Sequence, residues 1–369
     1  MTDTEPVLFD RFPGLAGSLP RLPLASLPTP VERADVELPG PCEGLWVKRD
    51  DLSGDAYGGN KVRKLEFLLA DALATGHDSV MTFGVVGSNH AVATAVYARQ
   101  VGMDAWLLLT PQANAAYVAK NLRLGRYVGA RQVFCADEAA AGRRARILGL
   151  AGRGGRPPPY RVPGGGSSPA GTVGFVSAAF ELAAQVRAGL LPEPDLIYLA
   201  LGTMGTAAGL ALGLQVAGLS TRLVLVRVVR EDIASPGRFR RLYHGAARRL
   251  HRHDPRFPLA PLEPARLAVR HDHIGPGYAR FTPEGIAAVE FARSQANLLL
   301  EGTYTGKAFA ALLADARAGR LAGRRVLFWN TYSSRPLPPG AEDIEATELP
   351  APLRRYFEKP LQPLDPAAS

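Results

Sequence analysis

Five short segments combine glycine with amine, amide or hydroxyl side chains, and each stands where one sequence pattern gives way to a helical one. They are 58–61 (GGNK), 87–90 (GSNH), 164–168 (GGGSS), 202–206 (GTMGT) and 304–307 (YTGK). In an open α/β sheet, strand-to-helix junctions lie at the carboxyl ends of the strands, where ligands bind. We therefore expect these segments to meet around one small-molecule site.

The segment 202–206 is well suited to bind an anion. It follows the apolar run 196–201 and opens an apolar helical pattern. It therefore presents backbone N–H groups, two threonine hydroxyls and a helix N-terminus to one small anion. It lacks the GK[ST] of a nucleotide-binding phosphate loop, and no GxGxxG follows the first strand. The expected ligand is a phosphate without a nucleotide.

Lys61 stands between a Gly-Gly-Asn turn and the helical pattern 61–76. A helix N-terminus disfavours a cation, so this position should lower the pKa of the amine, as a Schiff-base lysine requires. The alternative is a solvated residue of the first helical turn. A phosphate site together with an activated lysine indicates pyridoxal 5′-phosphate.

Apolar runs alternate with amphipathic patterns along most of the chain. Strands are predicted at 45–51, 79–87, 104–110, 131–136, 195–201, 222–229 and 326–331. Helices are predicted at 61–76, 88–102, 115–129, 174–190, 206–218, 237–256, 283–295 and 306–318. This repetition indicates an α/β fold with parallel, doubly wound open sheets. Residues 1–45 are predicted to be irregular, and 152–172 to form the return crossing between two lobes.

Composition places the chain among ordinary globular proteins. Its 369 residues are 47% hydrophobic and 21% charged, which predicts about two domains with a cleft between them. Cys42 and Cys135 show no metal-ligand spacing, so no metal site or disulfide framework is expected. The N-terminal segment lacks the apolar run of a secretory signal, which indicates the cytoplasm.

Two segments raise other classes of function. The uncharged stretch 196–219 carries glycines at the spacing of packed membrane helices, but its apolar run, tight loop and Ala/Leu/Gly run favour a buried strand, loop and helix. The segment 237–256 is basic in a chain with a net charge of +9 and 37 arginines. A solvated surface helix is favoured there over a nucleic-acid ligand. No membrane or nucleic-acid partner is therefore expected.

Several segments in collinear order resemble successive blocks of the 1-aminocyclopropane-1-carboxylate deaminase/D-cysteine desulfhydrase family. They are 27–30 (LPTP), 46–73 (containing GGNKVRKLE), 87–103 (beginning GSNH), 165–175, 202–210, 275–285 (GPGYARFTPEG) and 298–312 (LLLEGTYTGKAFAAL). The family consists of pyridoxal-phosphate enzymes with the tryptophan-synthase β-type fold, also called fold type II. The resemblance implies a homodimer. It also implies a large phosphate-binding lobe from 1–64 and 166–369, and a small lobe from 65–165 that carries the SNH loop.

The resemblance also implies roles for individual residues. Lys61 would hold the cofactor as a Schiff base and shuttle protons, and Asn89 would hydrogen-bond the cofactor's 3′-oxygen. Ser88, with nearby backbone and His90, would hold the substrate carboxylate. Tyr304 would lie beside the cofactor ring and Tyr278 would be a second active-site tyrosine. The remaining cofactor contacts would be Asn60, Gly202, Thr203, Met204, Gly205, Thr206, Thr305 and Thr331.

Some of these side chains also fit structural roles. Asn60 and Asn89 could cap helices, His90 could be a structural hydrogen-bond donor, and Tyr278 could be a packed aromatic.

Thr305 bears on the reaction. In the deaminase branch of the family a glutamate follows the ring tyrosine, where a carboxylate keeps the pyridine nitrogen protonated. Threonine cannot do this, so the chain resembles the desulfhydrase branch. We expect α,β-elimination from a D-cysteine-like amino acid. Cyclopropane ring opening, another amino-acid substrate and a non-catalytic relative are the alternatives.

Three departures from the family pattern surround the expected site. Gly87 stands where glutamine is usual, and Val92 where arginine is common. Both are expected to leave open or uncharged space beside residues 88–90, the SNH loop that would hold the substrate carboxylate and is called the carboxylate loop below. Tyr332 and Ser333 replace two glycines after the last core strand. They place a phenol and a hydroxyl at the cofactor edge, which points to a changed substrate or weaker activity.

Overall fold

Two open β-sheets organise the computed structural model, which describes residues 5–150 and 157–368. The large sheet contains β1 (Val31–Arg33), β2 (Gly44–Lys48), β7 (Leu196–Leu201), β8 (Arg222–Arg227), β9 (Leu267–Arg270) and β10 (Arg325–Trp329), in the order β1-β2-β10-β7-β8-β9. The small sheet contains β3 (Ser79–Val85), β4 (Asp104–Thr110), β5 (Arg131–Phe134) and β6 (Tyr160–Val162), in the order β5-β4-β3-β6. All neighbouring strands are parallel except β1, which pairs antiparallel with β2.

Helices cover both faces of each sheet. They are α1 (Val7–Arg11), α2 (Lys61–Ala74), α3 (Asn89–Gln100), α4 (Ala116–Tyr127), α5 (Glu138–Leu150), α6 (Pro169–Arg187), α7 (Gly205–Ala217), α8 (Pro236–His253), α9 (Pro283–Ala296), α10 (Thr305–Arg317) and α11 (Ala351–Glu358). Along β7, Ile197 and Leu199 face the core under α6, α7 and α8, whereas Tyr198 faces the core under α9 and α10. This alternation is the pattern of a doubly wound sheet. The predicted fold class is confirmed.

Each predicted strand and helix is present, with ends shifted by at most five residues. The sequence missed α1, β1, α5, β6, β9 and α11, so the prediction that 1–45 is irregular is wrong at α1 and β1. The strands β1 and β6 are only three residues long and are stabilised by pairing with a neighbour, which a local pattern cannot reveal. The largest boundary error is at α6, which begins early because Ser168 caps it with Pro169 in its first turn.

The predicted return crossing at 152–172 is more structured than expected. Residues 151–156 lie outside the described part of the chain. The segment that follows forms β6, which pairs with β3 in the small sheet before the chain enters α6.

The division into lobes at 64/65 and 165/166 stays a prediction. Leu353 and Tyr356 of α11 pack into the same core as α3 and α4, although they lie far along the chain.

The uncharged stretch 196–219 folds as β7, a short loop and α7, as the sequence favoured. Its glycines allow close packing of α7 against α6. A Cβ atom at Gly209 would lie 2.5 Å from the carbonyl oxygen of Thr172, and one at Gly213 would lie 2.5 Å from the Cβ of Ala179. None of the helices described within 5–150 and 157–368 is long and apolar enough to cross a membrane.

The arginine-rich segment forms α8, which lies on the surface with one apolar face buried. Phe239, Leu242 and Leu250 are buried in the core shared with α6 and α7. Arg240 and Arg248 are exposed to solvent. This is the surface helix that the sequence favoured.

A buried ion-pair cluster fixes the start of α2. The Arg63 guanidinium is 2.7 Å from an Asp50 oxygen and 2.9 Å from a Glu181 oxygen. Glu181 also accepts a hydrogen bond from Lys48 Nζ at 2.5 Å, and Asp50 accepts one from the Trp329 indole at 2.8 Å. The cluster joins α2 to the large sheet and to α6, and thereby determines where the preceding Lys61 lies.

Candidate active site

A cavity of about 520 Å³ lies at the carboxyl ends of β3 and β7. The predicted site residues that line it are Asn60, Lys61, Ser88, Asn89, His90, Gly202, Thr203, Met204, Thr206, Tyr278, Tyr304, Thr305 and Thr331. Gly205 is the exception, because it is buried behind the Ser167 hydroxyl. The segments 87–90, 164–168 and 202–206 directly follow β3, β6 and β7 as expected, and 58–61 follows β2 after a 3-10 turn and a loop. The fifth, 304–307, follows a loop because 298–302 forms no strand.

Lys61 is the first residue of α2. Its Nζ donates a hydrogen bond to Asn60 Oδ1 at 2.6 Å, and Asn60 Nδ2 donates to Thr206 Oγ1 at 3.0 Å. Burial lowers the pKa of Lys61 to about 8, against the opposing effect of the Glu301 carboxylate. The lowered pKa agrees with the sequence prediction, but the main cause is burial rather than the helix N-terminus. A larger share of neutral, nucleophilic amine at physiological pH follows.

The carboxylate loop begins α3. The Ser88 hydroxyl caps the helix by accepting a hydrogen bond from the Ala91 N–H at 3.1 Å. Asn89 and His90 are the first two helical residues, so their N–H groups have no carbonyl partner within the helix and are available to an anion. The His90 ring pairs with Thr82 Oγ1 at 2.9 Å, and burial lowers the pKa of His90 well below its usual range. His90 is therefore neutral, and its role in carboxylate binding stays a prediction.

The amide of Asn89 has a defined orientation. Asn121 Nδ2 donates to the Gly87 carbonyl oxygen and to Asn89 Oδ1, both at 2.9 Å. The Tyr57 hydroxyl donates to the same Asn89 oxygen at 3.2 Å. Because the Gly87 carbonyl can only accept, the donor on Asn121 is fixed, and Asn89 must turn its oxygen toward it. The Asn89 amide N–H groups are left for the cavity, where they can donate to a phenolate oxygen.

The loop at 202–206 forms a tight cradle with Gly165 and Ser167. Ser167 Oγ lies 2.7 Å from Thr203 Oγ1 and accepts a hydrogen bond from the Gly205 N–H at 3.1 Å. A Cβ atom at Gly165 would lie 2.1 Å from Thr203 Oγ1, and Met204 has a φ of +71°. The cradle therefore requires glycine at 165, and its shape is set for a small anion at the start of α7.

Lys64 completes the cradle, and the sequence reading missed it. Its buried Nζ donates to the Gly165 carbonyl at 3.1 Å and lies 3.5 Å from Ser167 Oγ. Among the described residues it has no acidic partner, and burial lowers its pKa well below the usual value. A buried amine beside a phosphate-shaped cradle requires an anion to be charged. The residues present therefore fit the phosphate of pyridoxal phosphate. The sequence feature that could have indicated Lys64 is its position one helical turn after Lys61, on the same face of the helix.

Replacing Lys64 by methionine should weaken binding of pyridoxal phosphate by about ten- to a hundredfold, because one charge-assisted hydrogen bond is lost. The apo variant should melt no lower than the wild type, since an unpaired buried amine is removed. Titrating apoprotein with the cofactor and recording the visible absorption measures the first effect. Lys120→Met, on α4, is the matched control. Unchanged cofactor affinity would remove Lys64 from the phosphate site.

Two tyrosines that line the cavity pair with each other through their hydroxyls. The Tyr278 and Tyr304 hydroxyls are 2.5 Å apart, and burial raises the pKa of both groups, so both carry their protons. The loop that carries Tyr278 is held by Lys307, whose Nζ donates to the carbonyl oxygens of Ile274 at 2.7 Å and Gly277 at 3.3 Å. The site thus contains a pair of neutral hydroxyl groups that can donate protons.

A buried carboxylate, also missed from the sequence, lies beside Thr305. Glu301 accepts hydrogen bonds from the N–H groups of Thr303, Tyr304 and Thr305 at 2.7–2.9 Å. The Thr305 hydroxyl lies 3.3 Å from Glu301 Oε1. Position 305 therefore presents a hydroxyl linked to a carboxylate, rather than an isolated threonine.

The three departures from the family pattern have different outcomes. Gly87 opens no space, because a Cβ atom there would lie 2.6 Å from the Tyr117 ring. Val92 is buried in the core of the small sheet and does not line the cavity, so the prediction for it is wrong. Tyr332 and Ser333 do line the cavity, and Ser333 Oγ accepts a hydrogen bond from the Gly58 N–H at 3.0 Å.

Comparisons with known proteins agree with this geometry. Residues 22–331 match the family model described as pyridoxal-phosphate dependent enzyme. The chain is 35% identical over 342 residues to nocardicin C-9′ epimerase of Nocardia uniformis subsp. tsuyamanensis, covering 88% of this chain and 98% of that protein. It is 35% identical over 303 residues to D-cysteine desulfhydrase of Serratia proteamaculans (strain 568), covering 80% and 87%. A solved structure of an ACC deaminase homologue has 32% identity and a TM-score of 0.74, covering 89% and 95%.

Proposed function

Because the chain belongs to the family of pyridoxal-phosphate-dependent enzymes, we propose that it catalyses α,β-elimination on a small D-amino acid with a sulfur leaving group, as a D-cysteine desulfhydrase does. The observation that carries the choice of reaction is Thr305, a hydroxyl where the deaminase branch has glutamate directly after the ring tyrosine. The products would be pyruvate, ammonia and a thiol or sulfide.

Pyridoxal phosphate, when bound, supplies an electron sink that stabilises negative charge at the substrate Cα. Lys61 would hold it covalently, Asn89 would donate to its phenolate oxygen, and the cradle at 202–206 would hold its phosphate together with Lys64. These assignments follow from the amine with the lowered pKa, the oriented amide and the buried cation described above.

The chain's own groups can carry each proton. The N–H groups at the start of α3 and the Ser88 hydroxyl bind the substrate carboxylate and orient Cα toward Lys61. Lys61 Nζ takes the Cα proton as the Cβ–S bond breaks, and the sulfur leaves with its electron pair. The Tyr278 and Tyr304 pair, neutral because burial raises both pKa values, donates a proton to the leaving sulfur. Water then releases ammonia and pyruvate.

Epimerisation at Cα is the second candidate. It is favoured by the relative named as an epimerase, which is matched over 98% of its length. It is also favoured by the presence of two separate proton carriers in the cavity, Lys61 and the tyrosine pair, because inversion requires that a proton leave one face of Cα and return to the other. For the assembly, we propose a homodimer on the basis of the family resemblance. For the location, we propose the cytoplasm, a reducing compartment that suits the free thiols of Cys42 and Cys135.

The proposed reaction is tested by supplying the purified holoenzyme with D-cysteine, β-chloro-D-alanine, the corresponding L-amino acids and 1-aminocyclopropane-1-carboxylate. We expect pyruvate and ammonia from D-cysteine or β-chloro-D-alanine. Faster release of 2-oxobutyrate from the cyclopropane acid would replace this proposal with the deaminase reaction. Exchange of the α-hydrogen in D₂O with inversion, without release of ammonia, would replace it with epimerisation.

A further inference from the structure

The space beside Gly87, where the family pattern has glutamine, is filled by side chains from a different part of the chain. A Cβ atom at Gly87 would lie 2.6 Å from Tyr117 Cε2, 2.9 Å from Val118 Cγ2 and 3.0 Å from Gln112 Nε2. Gln112 lies in the loop after β4, and Tyr117 lies in the first turn of α4. The small residue at 87 is therefore matched by a glutamine amide and a tyrosine ring behind the carboxylate loop.

These side chains form a continuous path of hydrogen bonds. The Gly87 N–H donates to Gln112 Oε1 at 3.1 Å, which fixes the amide so that Gln112 Nε2 donates to the Tyr117 oxygen at 2.9 Å. The Tyr117 hydroxyl also pairs with Thr303 Oγ1 at 3.1 Å. Burial raises the pKa of Tyr117, so the proton stays on the phenol.

The two ends of this path lie next to site residues that belong to different elements of the fold. Gly87 precedes Ser88 in the carboxylate loop, at the end of a strand of the small sheet. Thr303 is buried and precedes Tyr304, in the loop that Glu301 holds against the start of α10. The path from Gln112 through Tyr117 to Thr303 thus links the carboxylate loop directly to the loop of the ring tyrosine.

We infer that the Gln112–Tyr117–Thr303 bridge is a positioning element that determines how well this chain binds its substrate carboxylate. This inference rests on the proposed function. The three residues position the carboxylate loop for the substrate in a chain that has no glutamine at 87. The bridge keeps the first turn of α3 at a fixed distance from Tyr304, so a carboxylate on Ser88 and the α3 N–H groups places Cα between Lys61 and the tyrosines. Gln112, Tyr117 and Thr303 do not line the cavity.

Two variants that preserve shape test the bridge from its two sides. Tyr117→Phe keeps the ring against Gly87 but removes the hydroxyl, and Thr303→Val removes the hydroxyl that pairs with it. Tyr117→Phe loses the hydrogen bonds to Gln112 and to Thr303, and Thr303→Val loses the one to Tyr117, so we expect KM, and the dissociation constant for D-alanine, to rise about three- to tenfold in each. Because both variants break the Tyr117–Thr303 link, the double variant should bind about as weakly as Tyr117→Phe alone. D-Alanine has no leaving group at Cβ, and its binding to the holoenzyme is followed by the visible absorption.

If the bridge had a purely structural role, the variants would have a lower melting temperature or a lower cofactor affinity. As a positioning element, it requires that both values match the wild type and that KM change more than kcat. Tyr127→Phe, at the exposed end of α4, is the control and should match the wild type. Wild-type D-alanine affinity in both single variants, or fully additive losses in the double variant, overturns the bridge while the elimination reaction stands. A wild-type holoenzyme that neither binds nor converts any amino acid overturns the proposed function and the bridge together.

Discussion

Lys61→Ala should yield a colourless protein that forms no covalent bond with pyridoxal phosphate. Product formation should fall at least about a thousandfold, since the variant loses both the covalent anchor and the base for the Cα proton. The amine is the one whose pKa burial lowers to about 8 at the edge of the cavity, and its hydrogen-bond partner Asn60 is held in turn by Thr206. The measurement is visible absorption of the protein after added cofactor has been dialysed away, together with the mass of the borohydride-reduced protein.

The matched control is Lys120→Ala, which removes a lysine of α4 that does not line the cavity. It should retain the colour, the reduced adduct and the activity. Phosphate binding should survive in Lys61→Ala, because Lys64 and the 202–206 cradle remain, so the cofactor should still bind reversibly. A Lys61→Ala protein that keeps a borohydride-stable adduct on another lysine would show that the covalent site is elsewhere.

The position of the site could be predicted from the sequence because strand-to-helix junctions share one edge of a parallel sheet. That rule places Lys61, Ser88 and Thr203 together although they lie far apart in the chain, and the cavity contains all three. The sequence also favoured a strand, loop and helix over a membrane span at 196–219, because an apolar strand followed by a glycine turn is recognised from neighbouring residues alone.

Residues whose role depends on burial could not be predicted in this way. Lys64 follows Lys61 by one helical turn, but that spacing is common on helices, and its enclosure behind Gly165 without an acidic partner among the described residues is what supports the proposed phosphate contact. Glu301 is a loop residue in the sequence pattern, and its buried position became evident only from the N–H groups of Thr303, Tyr304 and Thr305 that bind its carboxylate. The error at Gly87 has the same origin, because the residues that fill its space follow it by 25 and 30 positions and belong to other elements.

Arg63→Met should destabilise the fold by about 3–5 kcal/mol, the cost of leaving buried carboxylates without their cation. Arg63 is 1% exposed, and it is the shared partner of Asp50 and Glu181. Arg63 and Lys48 together hold the pKa of Glu181 at about 2, so the stability that this carboxylate contributes is present above its unfolded pKa of about 4.3 and is lost as the pH falls toward 2. Urea denaturation at pH 7 measures the loss. The variant should recover part of the difference from wild type as the pH is lowered through 4.

Arg131→Met is the control, because Arg131 also pairs with a carboxylate, Asp104, but both side chains are more than half exposed, and its loss should cost about 1 kcal/mol or less. The two arginines also differ in their effect on the site. Arg63 lies two residues after Lys61 on α2, so losing its ion pairs frees the start of that helix from the large sheet and from α6. Cofactor affinity should therefore fall in Arg63→Met and stay unchanged in Arg131→Met. Equal losses of stability in the two variants would mean that the buried cluster is no more important to the fold than a surface ion pair, and that α2 is positioned by its apolar face alone.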